Sequence, residues 1–205
     1  MQTIDLTAKT GKDEKILWQG KPQKNAFILR SFLNPMLPIA IVWAVFDIFF
    51  LRMAFEGFDS MPAEAGGVQT GLKAFLIPFI LLHLMPVWLY LGGIVFSFLR
   101  FRNTNYLITD RAVYFSQGVF SINVVMKPLA SLSNINVHTG IIDRAMKVGS
   151  VRFLMPVVPA ANRTGTVTAS SFGIMYIPDY NDVFKLLCEQ QNEAYTDAQY
   201  PNDKR

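Results

Sequence analysis

From Ala74 to Leu99 the chain carries no formal charge, "AFLIPFILLHLMPVWLYLGGIVFSFL". A helix needs roughly 20 apolar residues to cross the hydrocarbon of a bilayer, and this run exceeds that. An earlier run, Ser31 to Leu51, carries a single charge, Asp47, and is also long enough. A chain of 205 residues could hardly wrap two such segments in its own core, so both are expected to be transmembrane helices, a hairpin over 31–100. The small-residue stretch Ala63 to Ala65 resembles a signal-peptide cleavage site but lies well beyond the first run. Residues 1–30, largely polar, stand where a signal peptide would have a short basic region, so the first span is expected to be retained.

Orientation follows from the cations near the span ends. Lys9, Lys12, Lys15, Lys21, Lys24 and Arg30 precede the first span, and Arg100, Arg102 and Arg111 follow the second. The connection has Arg52 and Lys73 only at its edges, against Glu56, Asp59 and Glu64. The positive-inside rule then places both termini in the cytoplasm and residues 53–72 outside. The net charge of +4 is absorbed by this asymmetry; no basic patch interleaved with aromatics is present, so no nucleic-acid partner is expected. Cys188 has no second cysteine to pair with and falls on the side where thiols stay reduced.

Four segments result: a cytoplasmic lead (1–30), the hairpin (31–100), a compact module (101–192) and a polar tail (193–205) expected to be disordered. In the module, Tyr106–Thr109 and Ala112–Gln117 are rich in β-branched and aromatic residues and only Asp110-Arg111 separates them, which is hairpin spacing. Further strands are expected at 122–129, 132–139, 149–155, 165–170 and 171–177. After Pro178, Asp179 can cap a helix that places Val183, Phe184, Leu187, Cys188 and Gln191 along one face. The fold class expected is α+β: a membrane hairpin followed by a seven-stranded, partly open barrel capped by a C-terminal helix.

The stretch "NTNYLITDRAVYFSQGVFSINVVMKPLASLSNINVHTGIIDRAMKVGSVRF" resembles the membrane-flanked bacterial domain with a pleckstrin-homology-like (PH-like) fold. The positions that carry the resemblance are Tyr106, Thr109, Asp110, Arg111, Gly118, Pro128, Leu129, Ile135, Gly140, Arg144 and Gly149. The lead "DEKILWQGKPQKNAF", Asp13 to Phe27, is similar to the Glu-hydrophobic-Gly-Pro opening found ahead of the helical pair in such proteins. "PVVPAANRTGTVTASS" departs from the pattern, being longer and more polar than the usual turn. The resemblance implies a fold and a bacterial inner membrane; a fold of this kind hosts many jobs, so function has to come from a site.

No enzyme chemistry is expected. The two histidines, His83 and His138, stand apart, and no metal-ligand spacing, phosphate loop or nucleophile motif occurs, so no catalytic residue, metal or cofactor is expected. Cys188, on the apolar face of the last helix, is expected to be a buried, inert thiol. Asp47 and His83 are ionisable groups inside spans, where such groups are costly and need a partner. They lie five residues before Arg52 and ten after Lys73, so they would meet only if the second helix tilts. A structural hydrogen bond is the simpler role; a proton or ion path is the sharper one. Arg100, Arg102 and Arg111 are expected at the anionic membrane surface as anchors. The expected function is non-catalytic: a module on the lipid bilayer that binds other membrane-associated proteins or a second copy of itself. The alternatives are a subunit of an oligomeric channel or transporter using Asp47 and His83, and a lipid-sensing module.

Overall fold

A computed structural model describes residues 5–62, 66–157 and 168–199. The chain divides into two compact units, Met1–Leu29 with Phe98–Arg205, and Arg30–Ser97.

The first unit holds two antiparallel sheets. One has the order β1 (Ile16–Gly20), β2 (Asn105–Thr109), β3 (Ala112–Gln117), β4 (Asn123–Pro128); the other runs β5 (Ser133–His138), β6 (Gly149–Val157), β7 (Thr168–Ile177). Seven strands are therefore present among the described residues, though not the seven expected. The segments expected at 165–170 and 171–177 are a single strand from Thr168, because Ser170-Ser171 carries no residue that forces a turn, and 165–167 lie outside the described residues. The seventh strand is β1, donated by the lead. Five residues set among lysines gave too short a period to notice. The partly open barrel is resolved as two sheets with no closed barrel: β4 and β5 are joined through a short 3-10 turn at Leu129–Ser131 and do not pair with each other.

The β2–β3 hairpin is buried on both faces. Tyr106, Ile108, Val113 and Phe115 point into the main core with Val151, Phe153, Ile174 and Leu187. Leu107, Ala112 and Tyr114 form a second small core whose cover is Leu6, itself 1% exposed. The lead thus supplies both an edge strand and a lid. The last helix, α6 (Tyr180–Gln199), lays Val183 and Leu187 on the main core as its spacing predicts. It runs through 193–199, part of the stretch expected to be a disordered tail; 200–205 lie outside the described residues.

Helix α1 (Lys24–Phe32) starts in the first unit and is followed by α2 (Met36–Asp59), while α3 (Gly66–His83) is followed by α4 (Met85–Asn103). A short helix, α5 (Ile141–Ala145), lies between β5 and β6. Among the described residues two helices, α2 and α3, are long and apolar enough to cross a membrane. The second apolar run is not one helix. It breaks at Leu84, because Pro86 has no N–H to give and its ring would strike the carbonyl four residues back, at Leu82. The first run is likewise displaced: its opening residues close α1, and α2 begins only after Asn34-Pro35 and continues to Asp59. The segment 53–72 is therefore largely helical where it is described.

Candidate functional site

The break at Leu84 frees carbonyls that an unbroken helix would satisfy internally, and in lipid such groups need a protein partner. Two indoles supply it: Trp88 Nε1 donates to the Leu81 carbonyl at 3.2 Å, and Trp43 Nε1 to the His83 carbonyl at 2.6 Å. The second bond ties α3 to α2 and sets His83 beside Asp47. His83 Nδ1 lies 2.6 Å from Asp47 Oδ1. The imidazole is stacked on Trp43 and Phe79, with centroids 5.1 and 5.4 Å away, and Phe46 lies at 5.7 Å. Asp47 is 2% exposed, and its Oδ2 has no protein partner.

Sequence reasoning identified both residues but measured their depth from the wrong marks. It counted from Arg52 and Lys73 as if these were level, whereas Lys73 Nζ lies over the Phe58 ring, 5.6 Å from its centroid. From Phe58 back to Asp47 is about 16 Å of helix rise, and from Lys73 on to His83 about 15 Å, so counted from these two residues the pair is nearly level. The two tryptophans carried the missing signal. A Pro in an apolar run needs indoles or hydroxyls near it, and Trp43 and Trp88 are the donors available.

The three cations expected at the membrane surface are all exposed, and among the described residues none enters an ion pair. They do not form one patch. Arg100 and Arg102 stand in the last turn of α4, next to the start of β2, whereas Arg111 sits in the turn after β2 ends, at the opposite end of the sheet. Five strand residues put roughly 13 Å between those ends.

Other polar groups, some of them in the hairpin and at the helix start singled out above, hold the module together. Glu14 accepts hydrogen bonds from Thr109 Oγ1 at 2.9 Å and from Tyr114 Oη at 3.0 Å. Asp110 Oδ1 accepts from the Lys15 N–H at 3.1 Å. The lead opening and the Thr-Asp-Arg hairpin, 95 residues apart, are thus two halves of one lock. Trp18 Nε1 donates to Asp179 Oδ2 at 2.6 Å, joining β1 to the start of α6. At the other end of the sheet Ser116 Oγ accepts from the Asn105 amide nitrogen at 3.0 Å and donates to the Asn103 carbonyl at 2.8 Å.

Among the described residues no group of three or more His, Cys, Asp or Glu converges. Cys188 is half-buried rather than buried as expected, and desolvation, with the charge of Glu189 nearby, pushes its thiol above its ordinary range.

The model of the bacterial PH domain matches residues 64–187, more than half of the chain. The match takes in α3, α4, β2 to β7 and the start of α6, and it leaves out β1 and Glu14, which complete the sheet from outside it. Neither the curated proteins nor the solved structures return a match. With the Thr109-Asp110-Arg111 hairpin, β2 to β7 and the start of the closing helix on the matched residues, the chain belongs to the bacterial PH domain family.

Proposed function

We propose that the chain is a membrane-anchored, non-catalytic PH-like module that receives a second copy of itself, or a segment of another membrane protein, by strand addition at the cytoplasmic face of a bacterial inner membrane. The observation that carries the proposal is the free edge of β4. This strand pairs with β3 in unbroken register from Ala112↔Pro128 to Gln117↔Asn123, and among the described residues nothing pairs with its other side. Its Met126 side chain is half exposed. An unpaired, regular edge offers a row of N–H and C=O groups to an incoming strand. The edge of β5 is a poorer template, because its register shifts between Ser133 and Asn136 and Asn134 takes a positive φ of 50°.

Anchoring is supported by α2 and α3. Val42, Ile48, Phe49, Phe75, Ile77 and Leu82 are each more than 60% exposed, and a water-facing surface of that kind is unstable. PH-like domains are in general non-catalytic, and the reading follows the family in this. The test is a photo-crosslinker placed at Met126 in native membranes. Strand addition predicts an adduct that a crosslinker at the exposed Glu189 of α6 does not give. Equal labelling at the two sites would refute it.

A second reading, an oligomeric channel or transporter subunit, draws on Asp47, a buried carboxylate with one unpartnered oxygen beside an imidazole. Proton or ion flux into proteoliposomes that Asp47→Asn abolishes would favour it over the assembly reading.

A further inference from the structure

Phe120 is 86% exposed, far more than an aromatic side chain normally is in a folded domain. It stands in the loop Gly118–Ile122 between β3 and β4, a tight turn in which Gly118 takes a φ of +148°. A Cβ there would lie 1.9 Å from the Ser121 carbonyl oxygen, so no other residue fits and the tip is held in shape. The loop is fastened to the end of α4: Asn103 Nδ2 donates to the Gly118 carbonyl at 3.2 Å. Asn103 is the last residue of that helix, whose final turn presents Arg100 and Arg102 just after the apolar run stops at Leu99. One end of the sheet therefore gathers an exposed aromatic ring and two exposed cations at the point where the apolar sequence ends.

We propose that the β3–β4 tip is a membrane wedge, with Phe120 inserted among the acyl chains and headgroups of an anionic lipid surface while Arg100 and Arg102 hold the headgroups beside it. The proposal rests on the membrane-anchored reading and names the contact that the module itself makes. The chemistry of the occupant follows from the composition of the patch. An aromatic ring gains from burial at the edge of the hydrocarbon, and each cation near an anionic surface adds about 1 kcal/mol of attraction. The cluster has no acidic member: among residues 98–122 the one carboxylate is Asp110, which lies at the far end of the sheet and is bonded to the Lys15 N–H. Arg111, also at that far end, takes no part. β3 is six residues long, so roughly 17 Å separates Arg111 from the tip.

The full chain in lipid nanodiscs provides the test, on a Cys188→Ser background. Single labelling sites at Phe120→Cys, Arg111→Cys and Val42→Cys carry an environment-sensitive fluorophore, and spin-labelled lipids act as quencher. Val42, 67% exposed on α2, reports insertion of the anchor. The wedge predicts strong quenching at 42 and at 120, little at 111, and a loss of quenching at 120 when Arg100→Gln and Arg102→Gln are combined or the anionic lipid is replaced by zwitterionic lipid. Quenching at 42 with no more at 120 than at 111 overturns the wedge alone. No quenching at 42 overturns the anchored reading. A blue-shifted label at 120 that lipid does not quench would place a protein surface there and overturn the lipid assignment.

Discussion

Single side chains decide whether the module closes. Burial pushes the Tyr114 hydroxyl above its ordinary range, and the bond to Glu14 and that residue's charge add to it. Burial pushes Tyr106 higher still. Both phenols therefore hold their protons more tightly in the folded state. The stability they contribute is complete below pH 10, the ordinary tyrosine value, and is lost as the pH rises beyond it. Thermal unfolding followed from pH 7 upward should show that alkaline decline. Tyr114→Phe should lessen it, with the Tyr106 share remaining, while costing about 1 kcal/mol at neutral pH, the net worth of an ordinary hydrogen bond. Gly149 is a second such point: a Cβ there would stand 2.5 Å from the Tyr180 ring. Gly149→Ala should destabilise by about 1–3 kcal/mol, as overpacking of a filled site does, with a lower melting temperature as the readout. Gly149 was legible in the sequence as part of the family pattern. The ring that explains it, 31 residues on, was not.

At the level of elements, long-period signals were readable and short or distant ones were not. The β2–β3 hairpin was legible because two residues, Asp110-Arg111, separate two β-rich runs. That both its faces are buried was not, since Leu6 comes from a stretch with no pattern of its own. β1 escaped notice for the same reason: what makes it a strand is its pairing with β2, a tertiary fact. The apolar runs were evident, but the second was expected as one helix, and it breaks ahead of Pro86. Asp47 and His83 stood out in the sequence as ionisable groups in apolar runs, and the structure brings them together across α2 and α3. The pair joins α2 to α3, and removing one member leaves the other's polar atoms unsatisfied in a nonpolar surround. His83→Leu should therefore destabilise the full chain in detergent more than the double change Asp47→Leu, His83→Leu. A double-mutant cycle on melting temperature measures this; additive losses would show that the two side chains do not act as a pair.

For the molecule as a whole, the lead and residues 98–199 form one folding unit although the apolar helices separate them in sequence. A fragment starting at residue 101, the boundary expected from sequence, omits β1, Leu6, Glu14 and Trp18. It should fail to melt cooperatively, and a synthetic peptide of residues 5–23 added in trans should restore the transition. The central claim is that this unit lies on the cytoplasmic face, tethered by a helical hairpin. Ser60 and Lys185, both exposed, can serve as accessibility markers. The most direct measurement is cysteine labelling with a membrane-impermeant reagent in intact cells, using Ser60→Cys and Lys185→Cys on the Cys188→Ser background. The account predicts that the cysteine at 60 reacts in intact cells and the one at 185 only after permeabilisation; labelling at 185 in intact cells, with 60 protected, would contradict it.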